Sequence, residues 1–176
     1  MKKILILVLT MTMMLTMAAC GGNQTEATQP VTEAPATEPS GEITVGLWLE
    51  MKDVYAKLGT AAQLPEMIEL NESLMLDYCG IAAEDVQQAV VVICADSLRT
   101  DEIWLLEAVD EAAAEKLAGL ANKRLEKKGE ESITYSPEQY AVVEKAKLLQ
   151  NGCYLALIVS PDVDTLATVV SQELGI

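Results

Sequence analysis

Histidine is absent from the 176-residue chain. Its absence removes Ser-His-Asp and Cys-His catalysis, the histidine-containing zinc sites, and the commonest general base near neutral pH. The glycines nowhere fall in the GxxxxGK[ST] or GxGxxG spacing, so a nucleotide-binding fold has no support. Positive charge is scarce as well: 12 Lys and Arg stand against 27 Asp and Glu, for a net charge of −15. Such a balance argues against nucleic acid or anionic lipid surfaces as partners, because binding either depends on neutralising negative charge with Lys and Arg. It suits a solvated extracytoplasmic surface. No cofactor is implied.

What is present begins with a leader. Lys2 and Lys3 precede a run without charge from Ile4 to Ala19, followed at once by Cys20. A membrane-spanning helix needs about 20 apolar residues, and this stretch is shorter, with the charge-then-apolar layout of an export signal. Met17-Ala18-Ala19-Cys20 resembles the lipobox read by lipoprotein signal peptidase, although leucine is usual where Met17 stands. The resemblance implies cleavage before Cys20 and diacylglycerol on its sulfur, so residues 1–19 are expected to be a lipoprotein signal peptide. An uncleaved anchor and ordinary secretion after Ala18 are the rival readings. Loss of the leader removes two lysines and no acid, taking the net charge from −15 to −17.

Residues 20–40 carry the lipidated cysteine and a Thr/Glu/Pro/Ala-rich stretch with one valine and no aromatic. Such a segment buries too little apolar surface to offset its ordering entropy, which predicts a disordered tether. Composition turns globular over residues 41–176, enough for one α+β domain with a real core.

Within that domain, Val54, Tyr55, Leu58, Ala61 and Ala62 share one face of a helix over 51–62. Asn71 caps a short second helix that Gly80 stops. A helical turn follows near 82–87. The β-branched run 89–95 and the segment 101–109 read as strands joined by a polar loop. Asp110 caps a helix to about Lys128, ended by Gly129. Ser136-Pro137-Glu138-Gln139 has capping-box logic for one short turn. Segments 142–150 and 153–159 flank Asn151-Gly152, the strongest two-residue hairpin signal. Ser160-Pro161 opens a last helix through Leu174. The expectation is therefore N-terminal helices followed by two strand–strand–helix repeats, forming a four-stranded antiparallel sheet packed with helices. Lys145 and Lys147 fit an exposed edge of the third strand. The runs 103–106 and 154–159 are apolar at consecutive positions, so both sheet faces look dry. Either the amino-terminal helices cover the second face, the favoured reading, or an apolar surface there meets a partner.

Beyond Cys20 there are Cys79, Cys94 and Cys153, an odd number with no CxxC. Small buried hydrophobes are the favoured reading of Cys94 and Cys153, ahead of a disulfide between them or a reactive thiol. Carboxylate pairs for acid–base work are Glu84/Asp85, Asp101/Glu102 and Asp162/Asp164. The last sits where negative charge favours a helix start, and it lacks the glycine and distal glutamate of a calcium loop. Glu130/Glu131 read as a solvated loop. Trp104 and Tyr154, with Trp48, are weak candidates for a binding surface, since strand aromatics more often sit in the core.

Lys52-Asp53-Val54-Tyr55, Asp77-Tyr78-Cys79-Gly80-Ile81, Ser136-Pro137-Glu138-Gln139-Tyr140, and Asn151-Gly152 leading to Ile158-Val159-Ser160-Pro161-Asp162 resemble a family of small lipoproteins of Gram-positive, Clostridia-type bacteria, domain of unknown function 4358. The likeness covers about residues 52–174 and rests on turn, cap and packing positions. It implies fold and location, a cell without an outer membrane, and no activity.

Together these readings predict a lipid-anchored protein on the extracytoplasmic face of the cell membrane, with a non-enzymatic accessory or binding role. Its partners are the cytoplasmic membrane through Cys20 and another envelope protein. A carboxylate-dependent hydrolase of wall material is the alternative, and cation capture a third.

Overall fold

The computed structural model describes residues 49–176. The leader 1–19, Cys20, the tether 20–40 and Trp48 lie outside the described residues.

Val90-Val91-Val92 is apolar at consecutive positions, and each of the three is buried because the strand is covered on both sides. This strand, β2 (Val86–Cys94), pairs antiparallel with β3 (Glu102–Ala108), which pairs antiparallel with β5 (Tyr154–Val159). β4 (Lys147–Asn151) closes one edge against β5. The other edge is a strand that the residue pattern did not reveal. β1 (Met67–Glu69) pairs antiparallel with β2, so the sheet has five strands, ordered β1-β2-β3-β5-β4, where four were expected. Three residues are too few to show an alternating period. The strand forms because β2 is long enough to offer its outer edge, where Leu70 N donates to Val91 O and Ala95 N donates to Glu66 O.

Two helices cover one face: α1 (Met51–Ala61) and α5 (Val163–Leu174) pack Val54, Leu58, Leu166 and Val170 onto Val90, Val92, Ile103 and Leu105. On the other face, α2 (Glu72–Cys79) and α3 (Glu111–Tyr135) place Met75, Ala114, Leu117 and Ala121 against Val91, Trp104, Leu106 and Leu157. The dry second face is thus covered as expected, with α1 joined there by the carboxy-terminal helix rather than by α2. Gln88 ties α1 down: its Nε2 donates to Leu49 O at 3.1 Å and its Oε1 accepts from Met51 N at 3.1 Å. That bond replaces the side-chain cap that α1 lacks.

The strand–strand–helix pattern recurs as β2-β3-α3 and β4-β5-α5, without symmetry. A rotation exchanging the antiparallel neighbours β3 and β5 runs normal to the sheet and keeps each helix on its own face. α3 and α5 lie on opposite faces, so no rotation relates the two units.

Three boundaries differ from the sequence reading. Asp110 caps α3, accepting from Ala113 N at 2.8 Å, but the helix runs through Gly129 to Tyr135. A mid-helix glycine costs about 1 kcal/mol relative to alanine. Here α4 (Pro137–Glu144) packs alongside, and a Cβ at position 129 would meet Tyr140 Cε2 at 3.8 Å, an ordinary contact, so the packing accepts the glycine without requiring it. Second, α4 is a full eight-residue helix whose buried Val143 belongs to the core, so packing overrides the strand preference of Val142-Val143. Lys145 therefore caps a helix, and only Lys147 lies on the edge strand. Third, Asn151 pairs with Tyr154, which makes Gly152-Cys153 the hairpin loop, one residue beyond the expected pair. Gly152 supplies the positive φ, +55°, at the first loop position.

Candidate functional site

Alternation along β3 points Glu102 to the same side as Trp104 and Leu106, into the layer under α3. A carboxylate there is costly unless several donors meet it. α3 supplies two. Arg124 and Lys128 are four residues apart and so lie on one helix face. Arg124 donates from Nε to Oε1 at 3.0 Å and from Nη2 to Oε2 at 2.8 Å. Lys128 Nζ stands 2.9 Å from Oε2, and Trp104 Nε1 donates to Oε1 at 2.7 Å. Glu102 is 0% exposed and bonded at both oxygens. Burial pushes its pKa up, but the hydrogen bonds and charges of Arg124 and Lys128 outweigh that and hold it below the usual carboxylate value. The same neighbourhood silences Cys79. Burial first, then the Glu102 charge, push its thiol up to about 12, against smaller opposing effects from Arg124 and Lys128.

The network reaches outward through the β2–β3 connection. Lys128 Nζ also donates to Thr100 O at 3.0 Å. Thr100 N donates to Gln139 Oε1 at 2.9 Å, and its hydroxyl to the same oxygen at 3.0 Å, which joins the loop to the start of α4. Arg99 chelates Asp101 from Nε at 2.9 Å and Nη2 at 3.2 Å. Asp96 Oδ1 accepts from Leu98 N at 2.9 Å, a local turn that leaves the Leu98 side chain 82% exposed.

Above this floor opens a cleft of about 890 Å³. It lies between the β2–β3 connection, the carboxy-terminal half of α3 and the beginning of α4. Arg99, Arg124, Lys127 and Lys128 line it, among them both arginines of the chain. Tyr78, Leu98 and Tyr135 form an apolar rim.

Trp104 is fully buried beneath the cleft, on the sheet face away from Tyr154, so the two aromatics build no common surface. Tyr154 is partly buried and bonded to Glu107; its burial first, and Glu107 next, raise its pKa. The carboxylate pairs separate in the same way. Asp101 and Glu102 are consecutive on an extended chain, and each holds its own cation. Asp85 pairs with Lys116 at 2.7 Å, and Asp164 with Lys147 at 2.6 Å, whose hydrogen bond and charge lower the Asp164 pKa. Cys79, Cys94 and Cys153 are free thiols. Among the described residues, no group of three or more Cys, Asp or Glu is placed to hold a metal ion, and every buried side-chain nitrogen or oxygen has a partner.

The cleft residues come from separate elements, so no single segment of the sequence marks them as a site. The signal was the placing of both arginines and a Lys-Lys pair in segments that flank one another, within an otherwise acidic chain. A family described as a domain of unknown function (DUF4358) matches residues 60–160. Among curated proteins and solved structures nothing matches.

Proposed function

Because the chain belongs to the DUF4358 family, which carries no assigned chemistry, we propose its role from the molecule itself: a non-enzymatic binding module, lipid-anchored through Cys20 at the extracytoplasmic face of the cell membrane. The observation that carries the binding half is the cleft. It is concave, about 890 Å³ in volume, rimmed by exposed apolar side chains and floored by a rigid ionic network. Ligand sites share this character, with apolar walls and a few fixed polar groups. Its polar groups suit binding better than turnover. Proton transfer at neutral pH works best with a group whose pKa lies near 7. Glu102 is instead held ionised by two cations, and the Cys79 thiol is held protonated.

The anchoring half rests on Lys2 and Lys3, the uncharged run and Cys20 in lipobox position. No helix among the described residues is long and apolar enough to cross a membrane. The partner of this reading is another envelope protein.

The purified full chain is expected to release no product above background from wall glycan, peptide or ester substrates. Turnover that disappears when Asp101 or Glu102 is replaced by its amide would replace the binding role with the carboxylate-dependent hydrolase.

A further inference from the structure

We infer that the cleft binds a short segment of another protein in which a carboxylate sits beside large apolar side chains. The inference rests on the binding role above and names the ligand for the same site.

Charge supports it first. Ten Lys and Arg follow Cys20, and four of them meet in this one cleft, in a chain of net charge −15. Arg99 and Arg124 each turn Nε and Nη2 to their own carboxylate, with Nη1 outside those bonds. Each guanidinium is thereby fixed in direction while a further donor edge remains. Such preset planes suit a carboxylate, which accepts two parallel N–H bonds. Lys127, with its side chain 65% exposed and its Nζ 3.9 Å from Glu131 Oε1, adds a solvated positive charge at the mouth.

The apolar rim supplies the second requirement. Among the described residues the exposed large hydrophobic ones are Ile68, Leu76, Tyr78, Leu98, Val109, Ile133 and Tyr135, and four of these seven line the cleft: Ile68, Tyr78, Leu98 and Tyr135. Monomeric proteins seldom gather exposed apolar groups without a partner. Leu98 at 82% and Tyr135 at 87% are nearly wholly solvated, so covering them is favourable by about 25 cal/mol for each Å² of apolar surface removed from water.

Size and surroundings choose among anionic partners. Asp101 and Glu131 also line the cleft and Glu102 lies beneath it, so four cations stand against three carboxylates and the surplus of one positive charge matches a single carboxylate rather than a run of phosphates. A nucleic acid or an anionic bilayer would extend past the mouth onto the acidic remainder of the domain. There it would meet like charge within the Debye length of about 8 Å at physiological salt. A short segment stays within the basic patch. Within the chain itself, residues 20–40 offer glutamates but a single valine, and residues 41–48, though they include Ile43, Leu47 and Trp48, lead directly into Leu49, which packs on the sheet face opposite the cleft.

The test uses the full chain in phosphatidylcholine nanodiscs, challenged with a random heptapeptide display library. Enriched peptides are expected to carry Asp or Glu next to Leu, Ile, Phe, Tyr or Trp. Synthesised singly, they should bind at least tenfold more weakly to Lys127→Glu and to the double variant Leu98→Ser/Tyr135→Ser. All three positions are exposed, and melting curves that overlay the parent show that the fold is intact. Enrichment of basic or uncharged polar peptides overturns the inference. So does an absence of enrichment, binding that the variants leave unchanged, or phosphatidylglycerol vesicles bound with the same variant sensitivity in place of peptides. Any of these outcomes leaves lipid on Cys20 and the absence of turnover untouched. Turnover, conversely, sinks the binding role whatever the peptides do.

Discussion

Glu102→Ala is expected to remove about 3–5 kcal/mol of folding stability, the usual cost of leaving buried charge without its partner. The substitution takes away a side chain that is 0% exposed and the acceptor for three neighbours. Arg124 loses all its carboxylate bonds, Trp104 Nε1 loses its acceptor, and Lys128 keeps only Thr100 O. Against a total of about 5–15 kcal/mol for a domain of ordinary stability, the variant is left marginal. Glu102→Gln should lose less, since it retains an oxygen for Trp104 while neutralising neither cation. Acid provides the sign. The Glu102 pKa is lowered from 4.5 in the folded state, so its stabilisation is complete above about that pH and is lost as pH falls through the folded value. The variant has no such carboxyl. The gap between parent and variant in urea unfolding should therefore be widest near neutrality and narrow below pH 4.5. A gap that stays constant down to pH 3 would mean that Glu102 is not held ionised by its partners.

Cys20→Ser should abolish lipid attachment outright. Two acyl chains anchor firmly, since each buried CH₂ contributes about 0.8 kcal/mol and a single chain binds only marginally. With no thiol, no lipid is attached, and the precursor should persist with residues 1–19 in place. In growing cells fed an alkyne analogue of palmitate, the parent chain is expected to carry the label, with Cys20 as its first residue by mass spectrometry. The variant should carry none. A labelled variant, or a parent chain beginning elsewhere, would remove the anchor from the account.

The residues most legible in the sequence were those whose local chemistry admits one solution. Asn71, Asp110 and Ser136 cap helices, each accepting from a backbone N–H three residues on, and Gly80 ends α2 in the left-handed conformation at φ +75°. The central strands were legible because β-branched runs bounded by polar loops have few other folds. What stayed hidden depended on contact between distant segments. β1 exists only because β2 has an edge to offer, and Gly129 is helical because α4 packs beside it. Glu102 looked like half of a carboxylate pair until strand alternation sent it inward to Arg124 and Lys128. Trp104 is buried, as strand aromatics usually are, but its role as the fourth member of that cluster was not visible in the sequence. The cleft was the least visible feature, since Arg99 and Arg124 meet only through the packing of α3 on the sheet.

Site-specific photocrosslinking in living cells tests most directly whether the molecule works through this cleft. A benzophenone amino acid at position 98, on the cleft rim, is compared with one at position 168, an exposed site on α5 over the opposite sheet face. The account predicts a discrete protein adduct in the membrane fraction from position 98, lost on adding Lys127→Glu, and none from position 168. An adduct from position 168 alone, or one from position 98 that survives the charge reversal, would contradict it.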